Sequence, residues 1–224
     1  MDTTHIALLQ DVYIMVVVVM DDPPNEIIQF GPVRSGSTLI YNLLRDIFPN
    51  CDVKKTHNIE KNPSTKYIVA TYRNPLDTIA SIHHIHDQIP TKTTIRENIF
   101  FMKNNGLIDF LNIIDNDKIL KLKYEDFYNN YNYIYDKFET YFKIKIDSEQ
   151  RLLLNKKYKI SNVKKIVQKY DSFYYFDGIT HWHGDHISPR NGAPNSYDKV
   201  FNDEQIEFIK KGLGDIIKKL DYNT

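Results

Sequence analysis

The stretch GPVRSGSTLIYNLL, Gly31 to Leu44, constrains the fold of this chain more than any other. The apolar run Ile27-Ile28-Gln29-Phe30 before it reads as a buried strand. Leu39, Leu43 and Leu44 mark one face of a helix that starts at Ser37. Between them lies a turn of small and hydroxyl residues. A strand that runs through such a turn into a helix points backbone N–H groups inward, and the helix dipole adds partial positive charge. The result is a cradle for an anion. Gly36 allows the backbone to approach a phosphate closely, Ser37 and Thr38 add hydroxyl donors, and Arg34 adds a fixed positive charge.

The spacing nearly matches the nucleoside-triphosphate loop G-x-x-x-x-G-K-[ST]. Gly31, Gly36 and Thr38 fit, but Ser37 stands where that loop has lysine. In nucleotidases this lysine reaches the β and γ phosphates. Its absence, with Arg34 placed earlier in the turn, argues for a different phosphate ligand. A Gly/Ser turn with no ligand is the alternative reading of the same residues.

A length of 224 residues with 42% hydrophobic content suits a single domain over 1–224 with a sizeable core. Net charge is zero, so no global basic field marks a nucleic-acid partner. The lone Cys51 excludes an internal disulfide and fits a reducing compartment. Residues 12–20, VYIMVVVVM, are too short to span a bilayer and are bracketed by Asp11, Asp21 and Asp22. No basic leader or small-residue cleavage site accompanies them, and their β-branched content favours a buried strand. The expectation is an N-terminal strand and break over 1–25, no membrane association and a cytoplasmic location.

Further along, 26–30 reads as a strand, 37–47 as a helix and 52–57, DVKKTH, as a short strand. A polar loop at 58–66 leads to the continuous apolar run YIVATY, 67–72, as in a central parallel strand. Asn74 then caps a helix with Pro75 at its first position and Asp77 facing back. Residues 93–115 read as helix in two pieces split near Gly106, 118–123 as a strand, and about 125–142 as a Tyr-rich helix. Residues 148–169 read as a basic helix and 203–220 as a closing amphipathic helix. Residues 170–200 carry Gly, Pro, His and aromatics without periodicity and read as a long lid or binding loop. Strand–helix alternation predicts an α/β fold: three layers around a mostly parallel central sheet, with a P-loop-like phosphate-binding loop.

Two side-chain pairs carry candidate chemistry. In an extended DVKKTH segment, Lys55 and His57 share one face. A histidine at the ligand end of a strand can act as general base, and a lysine there can neutralise developing charge. The same residues also suit a solvated edge strand. Arg73 ends the YIVATY strand, where ligands collect in α/β sheets, and Ser81 lies eight residues on, close enough for a shared anion. The alternative there is a salt bridge between Arg73 and Asp77. His181, His183 and His186 cluster with Trp182 and Asp185; zinc would need four tetrahedral ligands, and a role on the acceptor side or in the lid is expected instead. His83, His84 and His86 are expected to pack or face solvent.

Four stretches, in order, resemble the sulfotransferases that use 3′-phosphoadenosine 5′-phosphosulfate (PAPS). VRSGSTLIYNLL resembles the loop for the cofactor's 5′-phosphate, with Arg34 as in carbohydrate sulfotransferases where cytosolic ones have lysine. KTH, 55–57, is similar to the cytosolic enzymes' catalytic lysine and histidine. YRNPLDTIAS, 72–81, resembles the 3′-phosphate motif, and RNGAPNSYDKVFNDEQ, 190–205, the C-terminal segment that closes on the same phosphate. YEDF, 124–127, matches a segment whose tyrosine contacts adenine. Asn191 departs from the lysine of the C-terminal motif, and Leu39 from an adenine-stacking tryptophan, for which Phe173 is a possible substitute. The short interval between Arg34 and His57 implies a reduced acceptor pocket.

The resemblance implies transfer of a sulfuryl group from PAPS to an acceptor hydroxyl, leaving the 3′,5′-bisphosphate PAP, with no metal. It implies His57 as base, with Arg34 and Lys55 balancing charge. Arg34, Ser35, Gly36, Ser37 and Thr38 would hold the 5′-phosphate, and Arg73, Ser81, Arg190, Asn191 and Gly192 the 3′-phosphate. Tyr124 would lie against adenine. The acceptor is a carbohydrate, a peptide tyrosine or a small molecule. Two rivals remain: a P-loop nucleotide kinase or hydrolase, and a non-catalytic relative that binds PAP.

Overall fold

The computed structural model describes residues 24–61 and 63–222. The strand expected at 12–20 lies outside the described residues. The chain runs β1 (Glu26–Phe30), α1 (Ser37–Ile47), β2 (Asp52–Thr56), β3 (Tyr67–Tyr72), α2 (Pro75–Ile85), α3 (Lys92–Met102), α4 (Ile108–Ile113) and β4 (Leu120–Lys123). It continues with α5 (Tyr124–Phe127), α6 (Tyr131–Phe142), α7 (Ser148–Tyr158), α8 (Ile160–Val167), α9 (Asp203–Leu213) and α10 (Ile216–Lys219).

The four strands form a sheet of order β2-β1-β3-β4, parallel at every pairing. Parallel neighbours need a crossover, and helices supply it. The two-residue period of the strands sorts their side chains into two cores. Ile27, Val69 and Leu122 face one core with α1, α6 and α7. Phe30, Ile68 and Ala70 face the other with α2, α3 and α9. This is the α/β three-layer arrangement, with the sheet buried on both faces.

The break expected near Gly106 is present, and other expected helices are divided as well. Residues 93–115 form α3 and α4 joined by a π turn, Lys103–Leu107, in which Gly106 adopts φ 101°. A side chain at Gly106 would meet the backbone at His57 and Pro32, so the break lets two loops touch. The Tyr-rich helix is α5 and α6, separated where Asn129 takes φ 54° and Asn130 caps the second piece. The basic helix breaks at Lys159 (φ −51°, ψ 134°), and the last helix at Gly214 (φ 56°). In each case one to three residues outside the right-handed helical region end the ladder, and hydrophobic periodicity runs on across such a break. Residues 170–200 contain only a 3₁₀ turn, Tyr197–Lys199, and one bridge between Phe176 and His183. No helix among the described residues is long and apolar enough to cross a membrane.

Candidate active site

From β1 the chain crosses to β2 on one side, then returns past β1 to β3 on the other. Ligands in open α/β sheets bind beyond the carboxyl ends of strands at such a switch. The Gly31 loop leaves β1 there, and Arg73 leaves β3 there. A cavity of about 180 Å³ occupies this place, and Arg34, Ser37, Thr38, Lys55, His57 and Arg73 all line it. Ser81, Tyr124, Asn191 and Gly192 complete the set that the sequence singles out on its wall. Among the described residues no carboxylate lines the cavity.

The helix start is built as an anion cradle. Gly36, at φ 82°, precedes α1 and gives it no side-chain cap, so no side chain competes for the first-turn N–H groups. A Cβ at Gly36 would lie 2.8 Å from ring carbons of Phe127 and Tyr124, so the turn can approach those rings only as glycine. Ser35 departs from the expected role. Its hydroxyl donates to the Pro32 carbonyl at 2.7 Å and meets Thr71 Oγ1 at 2.8 Å, pinning the loop to β3. Only its backbone is left to offer an anion.

Arg34 stands at φ 62° and is partly buried. Its Nε donates to Ser81 Oγ at 2.9 Å, one Nη donates to the His186 carbonyl at 2.8 Å, and the guanidinium covers Phe173 at 5.3 Å. Burial and the neighbouring Arg73 lower its pKa to about 10. Burial and Arg34 likewise lower Lys55 to about 8. Arg34 and Lys55, each lowered by burial and then by a neighbouring cation, line a wall without carboxylates that suits an anion.

His57 follows β2, whose Thr56 is paired with Phe30, and so lies beside the Gly31 turn. Its Nδ1 sits 2.6 Å from the Gly31 carbonyl. A carbonyl accepts only, so Nδ1 carries the proton and Nε2 the lone pair. Burial, then Lys55, lowers the imidazole pKa to about 4, so the ring is neutral at pH 7. Lys55 and His57 therefore share the cavity, as their spacing predicts.

Arg73 is 8% exposed. It lies over the Tyr124 ring at 4.3 Å and donates to the Gly192 and Ala193 carbonyls at 3.0 and 3.4 Å. Its Nε is buried without a partner. Asp77 Oδ2 pairs with Arg73 Nη2 at 3.9 Å, the ion pair named as the alternative, and does not face back along α2 as expected. Instead its carboxylate accepts from the backbone N–H groups of Asn195 and Tyr197 at 2.7 and 3.0 Å, anchoring the C-terminal segment. Tyr124 donates to the Gly192 carbonyl at 3.0 Å.

Arg190 is not brought to the cavity wall. The turn at Asn191 and Gly192, φ 57° and 73°, brings the Gly192 and Ala193 carbonyls to Arg73, so backbone oxygens and not the Arg190 side chain meet it. Phe173 stacks on His183 (4.4 Å, 12°), so the candidate for an adenine platform lies among the loop histidines. Among the described residues no group of three or more His, Cys, Asp or Glu is arranged to hold a metal. Sequence reasoning missed the apolar end of the cavity, where Leu39 meets Tyr128, Tyr131, Tyr158, Ile160 and Val163. The tyrosine density of 124–135 was the only signal for it.

No family model and no curated protein matches the sequence. Solved structures do match the fold. Mouse sulfotransferase SULT7A1, complexed with PAP, superposes with a TM-score of 0.62 at 14% identity, over 90% of this chain and 89% of that one. Retinol dehydratase, in complex with androsterone and the inactive cofactor PAP, superposes with a TM-score of 0.65 at 13% identity, over 92% and 83%. The chain thus has the fold of PAPS-dependent sulfotransferases.

Proposed function

We propose that this protein is a sulfotransferase that moves a sulfuryl group from PAPS to an acceptor hydroxyl. The observation that carries the reading is the convergence of Arg34, Lys55 and Arg73, with the open start of α1, on one cavity without a carboxylate. Both structural neighbours hold PAP, which agrees with this charge pattern.

PAPS, when bound, supplies the activated sulfuryl group. The N–H groups of the 35–38 turn, with the Ser37 and Thr38 hydroxyls, hold the 5′-phosphate. Arg73 and Ser81 hold the 3′-phosphate, and Arg73 Nε has no other partner to give up. Arg190 reaches that phosphate only if the 188–193 turn rearranges. His57 Nε2 takes the acceptor proton, while Arg34 and Lys55 balance charge on the transferring group and the leaving oxygen. The region 170–200 acts as the lid.

The kinase or hydrolase reading has no lysine in the loop and no acidic residue at the cavity for Mg²⁺. Calorimetry decides between the two. Hydrogen bonds to a charged group contribute about 1.5–3 kcal/mol each, so PAP should bind at least about tenfold more tightly than 5′-AMP without Mg²⁺. Arg73→Ala should shrink that ratio. Equal affinities, or tight binding only of ATP with Mg²⁺, would falsify the assignment. A non-catalytic PAP-binding protein would pass this test and show no transfer.

A further inference from the structure

Two histidines of the cavity wall have their ring proton placed by a backbone carbonyl. The Nδ1 of His183 lies 2.7 Å from the Phe173 carbonyl, just as that of His57 lies 2.6 Å from Gly31. Each Nδ1 must donate, so each Nε2 is an acceptor. Both rings line the cavity, and no donor among the described residues reaches His183 Nε2. Lys55 lines the same cavity, and burial, then Lys55, lowers the pKa of both.

The His183 ring is also locked. It stacks on Phe173 at 4.4 Å and on Phe176 at 4.8 Å, and its backbone bridges to Phe176. A phenylalanine would satisfy that stack equally well. What the imidazole adds is an oriented acceptor atom, held without further loss of rotamer freedom when a ligand arrives.

We propose that His183 determines acceptor specificity by accepting a hydrogen bond from a second hydroxyl, so that the acceptor is an aromatic diol whose first hydroxyl is held by His57. The proposal rests on the sulfotransferase reading above. Ile85, Phe101 and Phe173 supply apolar wall for a flat ring. A sugar's hydroxyls would lie unpaired against Ile85, Phe101 and Phe173, and buried unpaired donors are costly. An aminated acceptor would meet Arg34 and Lys55. In the transfer, the first hydroxyl oxygen bonds to sulfur as the bond from sulfur to the 5′-phosphate oxygen breaks. That bond's electrons leave with the phosphate, and the proton passes to His57 Nε2. The second hydroxyl keeps its proton and only donates.

The test uses the full chain saturated with PAP, with 4-nitrocatechol, 4-nitrophenol and methyl β-glucoside as probes. The two phenols share the nitro-aromatic frame and differ by one hydroxyl. The expected result is that 4-nitrocatechol binds about tenfold more tightly than 4-nitrophenol, and that the glucoside competes with neither. His183→Phe keeps the stack and removes the acceptor atom, so the ratio should fall to about one with PAP affinity unchanged. His183→Asn returns an acceptor oxygen and should recover part of the ratio. A ratio near one in the parent, an unchanged ratio in His183→Phe, tighter binding of the glucoside, or no binding of either phenol overturns the role of His183. The PAP titration that precedes these measurements separates the two readings. A protein that does not bind PAP refutes the sulfotransferase assignment and His183's role with it; PAP binding without diol preference refutes only the latter.

Discussion

Arg34 Nε donates to Ser81 Oγ at 2.9 Å across 47 residues of chain. The bond ties the turn after β1 to the second turn of α2, so the two stretches proposed to bind phosphate meet before any ligand binds. Ser81 keeps its own proton and can still donate to an anion. Ser81→Ala and Arg34→Ala should therefore be coupled in PAP affinity. Residues in one hydrogen-bond network show interaction energies of about 0.5–3 kcal/mol. Arg34→Ala should also weaken 5′-AMP, which carries the 5′-phosphate. Additive losses in a double-mutant cycle would show that the contact plays no part in binding.

His57 is neutral at pH 7 and holds its Nε2 toward the cavity through the Gly31 bond. His57→Ala should lower sulfuryl transfer by about 10²–10⁴-fold while PAP affinity changes little. The check is single-turnover transfer with any acceptor the parent uses. Near-parent turnover would remove His57 from the mechanism.

Lys55 titrates at about 8 because it is buried beside Arg34. At pH 7 it is charged, and by pH 9 most of that charge is gone. PAP affinity should accordingly fall as pH rises from 7 to 9, and binding near pH 8 should take up protons, since the anion raises the lysine's pKa. Calorimetry in buffers of different ionisation enthalpy reads the uptake directly. Lys55→Met should flatten the profile; an unflattened one would assign the titration elsewhere.

The 170–200 segment is strapped to α1. Asn42 donates to the Thr180 carbonyl at 2.7 Å, and Tyr41 and Arg45 donate to the Ile179 carbonyl at 3.2 and 2.9 Å. The Arg45 bond is exposed, so that strap is open to competition from water. Hydrogen exchange across 170–195 should slow when PAP binds, and Asn42→Ala should speed it around 177–183 in the free protein. Exchange that PAP leaves unchanged would argue against a lid.

The sequence alone determined the features that depend on short-range spacing. A small-residue turn between strand and helix specifies the anion cradle at 31–38, because local backbone geometry makes it. The two-residue strand period puts Lys55 and His57 on one face, and the α2 turn puts Ser81 near Arg73; both pairs line the cavity. Alternating apolar strands and amphipathic helices likewise imply the three layers. Tertiary structure decided what depends on partners far along the chain. Ser35 turned to Thr71, Asp77 turned to Asn195 across 118 residues, and Arg190 stayed off the cavity wall. The strand order that opens the crevice belongs to this group, as do the breaks near Asn129, Lys159 and Gly214. So does the second histidine, whose proton is assigned by a carbonyl ten residues away. Side-chain direction in a loop without periodicity is set by which buried polar groups remain to be satisfied, and only the packed chain defines those.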